Sequence, residues 1–182
     1  MASLTALAGA STASATTALE ISGTPKKEKA EVTASLKSGT SSVLARTDGV
    51  LLNTCTESHL GGSTESPYSG KTVTAPLSGL SFSSCTRPVA VHKMGTLHVE
   101  HIFGSTNGTV SSSGAEVTVG SPVGTLNCKT EEGVDIGTLT GVKEGHATID
   151  IDTVLDCGFL VHSATWKATY TVTSPTGLGV TE

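Results

Sequence analysis

Aromatic residues, charges and long apolar runs are all scarce in this sequence of 182 residues. Aromatic residues make up 3% of the chain and charged residues 15%, and both fractions are low for a globular protein. No stretch is long and apolar enough to span a membrane as a helix, so no membrane span is expected. The net charge is −5, and Glu28 interrupts the one dense cationic run, at 26–29. Nucleic acid is therefore not expected as a partner.

Signatures of catalysis and of metal binding are missing as well. The sequence has no G-x-S-x-G elbow, H-E-x-x-H helix, P-loop, dinucleotide fingerprint or C-x-x-C pair. His98 and His101 would face opposite sides of a strand, so one strand cannot bring both to one ion. A site shared between strands, from His92 or His98 with His162, is the alternative. We expect neither an enzyme nor a bound cofactor, and assign no catalytic or cofactor-binding residue.

Serine, threonine, valine and glycine dominate instead, and this composition favours strands and turns. Apolar residues alternate with polar ones at 30–37, 96–103 and 166–172, with Phe103 and Trp166 on the faces predicted to point inward. Asn107-Gly108 predicts a type I′ hairpin turn. Turn residues recur about every eight to twelve positions. The predicted fold is all-β, an antiparallel β-sandwich, with a β-barrel as the alternative.

Two similar halves are suggested by the cysteines and their surroundings. Each half contains Ala-Glu-Val-Thr ahead of its first cysteine and Val-His after its second. We interpret residues 30–182 as one β domain with two pseudo-repeats, about 30–104 and 105–182. Among three possible connectivities, the one that lets each half close itself is Cys55–Cys85 and Cys128–Cys157. An even number of cysteines in a polar, strand-rich chain indicates disulfides and an extracellular location.

The N-terminal residues divide into two segments. Residues 1–15 end in Ala13-Ser14-Ala15, which resembles a signal-peptidase site and indicates a signal-peptide remnant or a disordered leader. Residues 16–29 form an N-terminal arm in which 17–22 alternates like a strand. Such a strand could pair with the sheet edge of a neighbouring copy, giving a homo-oligomer or filament.

Asp150 and Asp152 are the carboxylates considered for a metal site. They share one face of a predicted strand, and an acidic loop at 131–135 could supply further oxygens for calcium. Because Ile149 and Ile151 occupy the complementary positions, the simpler interpretation is that both aspartates face water.

The segments VTASLKSGTSSVL, GTLNCKT and GVDIGTLTG, together with the placement of the cysteines, resemble small exported β proteins of high-GC Gram-positive bacteria. The resemblance implies export and a β fold, and it transfers no functional residue. We predict a non-enzymatic secreted or cell-surface protein with a structural or self-assembly role, such as a filament subunit joined by strand addition. The alternative is an extracellular module that binds a sugar, lipid or peptide.

Overall fold

A computed structural model describes residues 16–65 and 70–182. These residues form strands and turns without any helix, which confirms the all-β prediction, and none of them belongs to a helix that could cross a membrane. The predictions for residues 1–15 lie outside the described residues. The strands are β1 (Ala18–Ile21), β2 (Thr24–Pro25), β3 (Glu31–Leu36), β4 (Ser42–Arg46), β5 (Leu51–Ser63), β6 (Thr72–Cys85), β7 (Val89–Lys93), β8 (Thr96–His101), β9 (Gly108–Ser113), β10 (Glu116–Ser121), β11 (Gly124–Lys129), β12 (Val134–Thr140), β13 (Thr148–Gly158), β14 (His162–Ser174) and β15 (Leu178–Thr181).

Eight strands close into a barrel. Around its wall the order is β14, β3, β5, β6, β8, β9, β12 and β13, and β13 pairs with β14 to complete the circuit. All of these neighbours are antiparallel. The barrel, which the sequence offered as the alternative, is therefore the observed architecture, and the expected sandwich is wrong.

Four strands, β5, β6, β13 and β14, have 11 to 14 residues and extend past the barrel at one end, which we call the lower end. There β4 lies between β14 and β5, while β11, β10 and β7 continue the sheet from β13. The upper end is covered by a small sheet of β15, β1 and β2. The N-terminal arm thus forms a strand, β1, that pairs with β15 of its own chain.

Two apolar cores fill these two levels. The upper core lies inside the barrel and includes Val110 and Tyr170, both almost completely buried. The lower core lies between the long strands and the β7–β10–β11 extension, and it includes Leu126 and Leu155. Trp166 packs against both cores. Each fully buried large apolar side chain contributes about 1.5–3 kcal/mol relative to an exposed one.

The two disulfides have the predicted connectivity. Cys55–Cys85 joins β5 to β6, and Cys128–Cys157 joins β11 to β13, with Cα atoms 3.9 Å apart in each. They close segments with sequence separations of 30 and 29 residues. Loops of this length correspond to about 3–4 kcal/mol of stabilisation in the chain-entropy model.

The β8–β9 hairpin forms, but its predicted turn was wrong. Gly104 has the positive φ, 77°, whereas Gly108 is already the first residue of β9. The Asn107 side chain instead accepts a hydrogen bond from the Gly141 N–H at 3.0 Å. The strand predicted over 96–103 ends at His101, so Phe103 lies in the turn and is 86% exposed.

Candidate functional site

The aspartates considered for calcium lie on the exposed face of β13. Asp150 accepts a hydrogen bond from the Thr169 hydroxyl at 2.7 Å, and Asp152 pairs with the Lys167 ammonium at 2.8 Å. Exposed ion pairs of this kind contribute at most about 1 kcal/mol. Among the described residues, no group of three or more His, Cys, Asp or Glu could hold a metal ion.

The predicted acidic loop borders an open groove of about 540 Å³ beside β13. Glu131, Asp135 and Asp156 contribute carboxylates to it. The Gly158 N–H and the Lys129 ammonium both bond to Asp156, and they hold the pKa of this carboxyl below its usual value. Part of the groove's negative charge is thus already balanced by the protein.

The histidines considered for a metal site do not converge. His92 bonds to the Thr118 hydroxyl, and His98 lies between two hydroxyls, those of Thr74 and Ser113. His101 bonds through its Nε2 to a backbone carbonyl. These rings complete local hydrogen-bond networks on β7 and β8.

Below the closed barrel, the lower level of the fold is open between β6 and β7. Residues 78–84 of β6 pair with β5 along one edge, and no described strand pairs with their other edge. Residues 89–93, which form β7, likewise pair only with β10 among the described strands. Residues 86–88 connect the two strands. We call these two free edges, 78–84 and 89–93, the seam.

The seam opens because the chain changes partner at Gly95. Before Gly95 the chain forms β7 and pairs with β10, and after Gly95 it forms β8 and pairs with β6. Gly95 has a φ of 77°, and a Cβ there would lie 2.6 Å from the Ser113 carbonyl oxygen and 2.7 Å from the Ala115 nitrogen. Only glycine tolerates both this conformation and this close approach.

An apolar cavity of about 70 Å³ lies behind the seam. Leu80 and Phe82 of β6 and Val89 of β7 line it from the seam, and Val117 of β10 and Trp166 of β14 complete the apolar wall. Leu80, Phe82 and Val117 are only partly buried. The seam is therefore an apolar gap below the closed barrel. It is bounded at one end by the 86–88 connection and at the other by the hydrogen bond from the Leu77 N–H to the Gly95 carbonyl, at 3.0 Å.

Trp166 is held in a fixed orientation in this cavity. Its indole N–H donates to the Ser42 hydroxyl at 2.9 Å. The Phe82 ring meets it edge to face, with ring centroids 6.2 Å apart and planes inclined by 70°. Paired aromatic rings of this geometry contribute about 0.5–1.5 kcal/mol beyond their burial. The cavity wall is consequently preformed.

Asn53 links β5 to β10 and to the connection that precedes β7, beside the cavity. Its amide nitrogen donates to the carbonyls of Arg87, at 3.0 Å, and Gly120, at 3.2 Å. Its carbonyl oxygen accepts from the backbone N–H groups of Thr54 and Arg87 and from the Thr86 hydroxyl. Because Asn53 is only 2% exposed, this one side chain replaces a strand pairing and fixes the rim of the seam.

Three hairpin turns at the lower end form a second apolar surface. Its exposed side chains are Val50 and Leu51 at the β4–β5 turn, Val123 at the β10–β11 turn, and Phe159 and Leu160 at the β13–β14 turn. Hairpin tips are convex and present closed ends of strands. The seam, in contrast, combines free strand edges with a cavity, and it is the stronger candidate.

Sequence reasoning placed Trp166 correctly on an inward face but missed the seam. Which edges stay free depends on pairings between distant strands, and the one local signal is the Met94-Gly95 break between β7 and β8. No family model, curated protein or solved structure matches this chain.

Proposed function

We propose that this protein is a non-enzymatic, secreted or cell-surface β protein that assembles with further copies of itself by accepting a strand at the seam. The observation that carries the proposal is the pair of free strand edges in front of an apolar cavity. Unpaired edge groups are a template for another strand, and apolar side chains behind them anchor alternate residues of that strand.

An added strand would complete the lower half in two respects. It would hydrogen-bond to free backbone groups at one edge of the seam, and its inward side chains would cover Leu80 and Phe82, which are partly exposed. Asn53 and the Cys55–Cys85 disulfide hold the rim in place without the strand. A preformed acceptor loses little conformational entropy on binding, which favours association.

The disulfides support an extracellular location, because such bonds persist in oxidising compartments. The strand first considered as donor, β1, is engaged in its own chain. Leu19 at its centre is 4% exposed within the upper core. Because β1 already fills the upper end of its own copy, we assign the donor role to another segment.

A ligand-binding module is the second candidate, and the cavity is the observation in its favour. Its volume of about 70 Å³ argues against it, since an apolar protein cavity that binds benzene measures about 150 Å³. A lipid chain or a sugar ring would not fit without rearrangement. A single side chain of an added strand needs less space, so strand addition fits the geometry better.

A charge placed inside the seam tests the proposal. Leu80→Lys puts an ammonium among the cavity side chains, whereas Ser81→Lys puts the same charge on the exposed face of the same strand. Because Leu80 is only partly buried, the lysine can extend to water and the fold is retained. Sedimentation velocity over a concentration series is expected to show association of the unchanged chain and of Ser81→Lys, and monomers for Leu80→Lys.

Monomers of the unchanged chain at every concentration would contradict the proposal, and so would equal association of Leu80→Lys. Near-ultraviolet circular dichroism of the Trp166 environment checks that both variants are folded. If Leu80→Lys does not fold, Val117→Lys, with Thr118→Lys as its outward control, repeats the comparison from the other wall of the cavity.

A further inference from the structure

We propose that the three hairpin turns at the lower end insert their apolar side chains into the surface of a phospholipid bilayer. This surface, which we call the apolar tip, consists of residues 47–51, 122–124 and 158–161. The inference goes beyond the proposed function, because the tip and the seam are different surfaces. Four properties of the tip favour lipid: its clustered apolar side chains, its balanced charge, its paired backbone groups and its shape.

The three turns lie next to one another. Arg46 of β4 pairs with Ala164 of β14, which places the β4–β5 turn beside the β13–β14 turn. A Cβ on Gly124 would lie 3.3 Å from the Leu160 side chain, so the β10–β11 turn borders the β13–β14 turn as well. Exposed apolar side chains gathered in one place indicate an interaction site. The large apolar side chains of the tip that are at least half exposed are Val50, Leu51, Val123, Phe159 and Leu160.

The tip carries one charged side chain, and the protein balances that charge. In 47–51, 122–124 and 158–161 the single charged residue is Asp48. Its carboxylate lies 2.7 Å from the Arg46 guanidinium and accepts a hydrogen bond from the Val50 N–H at 3.2 Å. Because an unpaired charge is costly to move towards hydrocarbon, a tip with a balanced charge is suited to contact acyl chains.

Backbone groups at two of the turns are paired within the protein. In the β4–β5 turn, the Arg46 N–H donates to the Val50 carbonyl at 2.8 Å. In the β10–β11 turn, the Ser121 hydroxyl donates to the Gly124 carbonyl at 2.8 Å and accepts from the Val123 N–H at 3.3 Å. A backbone group without a partner is strongly unfavourable in hydrocarbon. These internal hydrogen bonds therefore lower the cost of placing the turns in a bilayer.

The shape of the tip favours a lipid surface over a protein partner. A stable protein interface uses about 20–30 residues on each side and packs as densely as a protein interior. The tip offers five exposed apolar side chains on three convex turns. A rigid partner would leave the spaces between the turns unfilled, whereas fluid acyl chains adapt to them. Phe159, which is 88% exposed, would lose the largest share of its contact with water.

Matched substitutions at the two ends of the molecule test the inference. Phe159→Asp places a carboxylate on the tip, and the control, Phe103→Asp, places one in the β8–β9 turn at the upper end, where the side chain is 86% exposed. Flotation with uncharged phosphatidylcholine vesicles is measured on protein dilute enough to be monomeric. The unchanged chain and Phe103→Asp are expected to bind, and Phe159→Asp is expected to bind at least tenfold more weakly.

An indole introduced at the tip locates the contact without adding a charge. Brominated phosphatidylcholine quenches the fluorescence of indoles that reach the acyl chains. It is expected to quench Phe159→Trp beyond the unchanged chain, whose one tryptophan is Trp166, and to leave Phe103→Trp like the unchanged chain. Quenching of Trp166 with no further quenching in Phe159→Trp would place the lipid at the seam and overturn the inference.

Failure of the unchanged chain to bind vesicles up to millimolar lipid would also overturn the inference, and so would equal binding of Phe159→Asp and Phe103→Asp. If no vesicle binding occurs but Phe159→Asp weakens association in sedimentation velocity, the tip contacts a second copy instead of lipid. Leu80→Lys, which tests the seam, is expected to bind vesicles as the unchanged chain does. Failure of the proposed function is thus distinguishable from failure of this inference.

Discussion

Asn53 shows how one buried side chain can take the place of a strand pairing. Its amide connects β5 to the segment before β7 and to β10, where the backbone hydrogen bonds of the sheet stop. Removing the amide would leave buried carbonyl and N–H groups without partners, and each such group costs about 1–3 kcal/mol.

Substitution of Asn53 is therefore expected to destabilise the lower half. We expect Asn53→Ala to lower the free energy of unfolding by about 2–4 kcal/mol in chemical denaturation. Asn127 is an exposed asparagine whose side chain accepts a hydrogen bond from the Thr118 hydroxyl. Asn127→Ala should change the same quantity by less than about 0.5 kcal/mol. Equal effects of the two substitutions would refute the bridging role.

Tyr170 makes the free energy of unfolding depend on pH in the alkaline range. Burial raises its pKa to about 12, although the hydrogen bond with the Ser58 hydroxyl at 2.8 Å lowers it again in part. Between about pH 10 and 12 the unfolded chain loses this proton while the folded chain keeps it, so stability falls as the pH rises, by about 1.4 kcal/mol per unit. Tyr170→Phe should remove this slope in urea denaturation at pH 9 to 12. A slope that persists unchanged would assign it to another group.

At the scale of elements, the two disulfides differ in how far solvent and reducing agent can reach them. Cys128 and Cys157 are 0% and 2% exposed, whereas Cys85 is partly exposed beside the seam. We expect limited reduction followed by alkylation to label Cys55 and Cys85 first. Loss of that bond should lower the free energy of unfolding by about 3–4 kcal/mol. Labelling of all four cysteines at one rate would contradict this order.

Individual strands were predictable where one face is buried along their length. The alternation at 30–37 and 166–172 matches β3 and the second half of β14, because period 2 records which side chains meet the core. The pairing of the cysteines was predictable because each pair falls within one of the two similar halves, at sequence separations of 30 and 29 residues. The hairpin turn at Gly104 was not, since Asn107 bonds to the distant Gly141 and leaves the local turn preference unused.

The order in which the strands pair was harder to predict from the sequence than the strands themselves. Four long strands belong to both levels of the fold and pair with different neighbours in each: β5, β6, β13 and β14. The alternation of apolar and polar residues along a strand does not reveal where its neighbour changes. The seam exists because β7 pairs with β10 and not with β6, although β6 directly precedes it in the chain. Barrel closure by β13 and β14 likewise depends on contacts over the whole sheet.

At the scale of the whole molecule, the protein is a barrel whose upper end is covered by a small sheet and whose lower level has a gap between β6 and β7. The incomplete wall has its apolar lining and its rim already in place. Under the proposed function, a strand from another copy would complete this wall.

Hydrogen exchange measured by mass spectrometry tests this claim most directly. The full chain is compared at a concentration where it associates and at one where it is monomeric, with Leu80→Lys as the reference that stays monomeric. We expect the backbone amides of the seam, in 78–84 and 89–93, to exchange rapidly in the monomer, and those of the edge that pairs with the added strand to become protected on association. Association that protects other edges, such as β2, and leaves these two segments unchanged would contradict it.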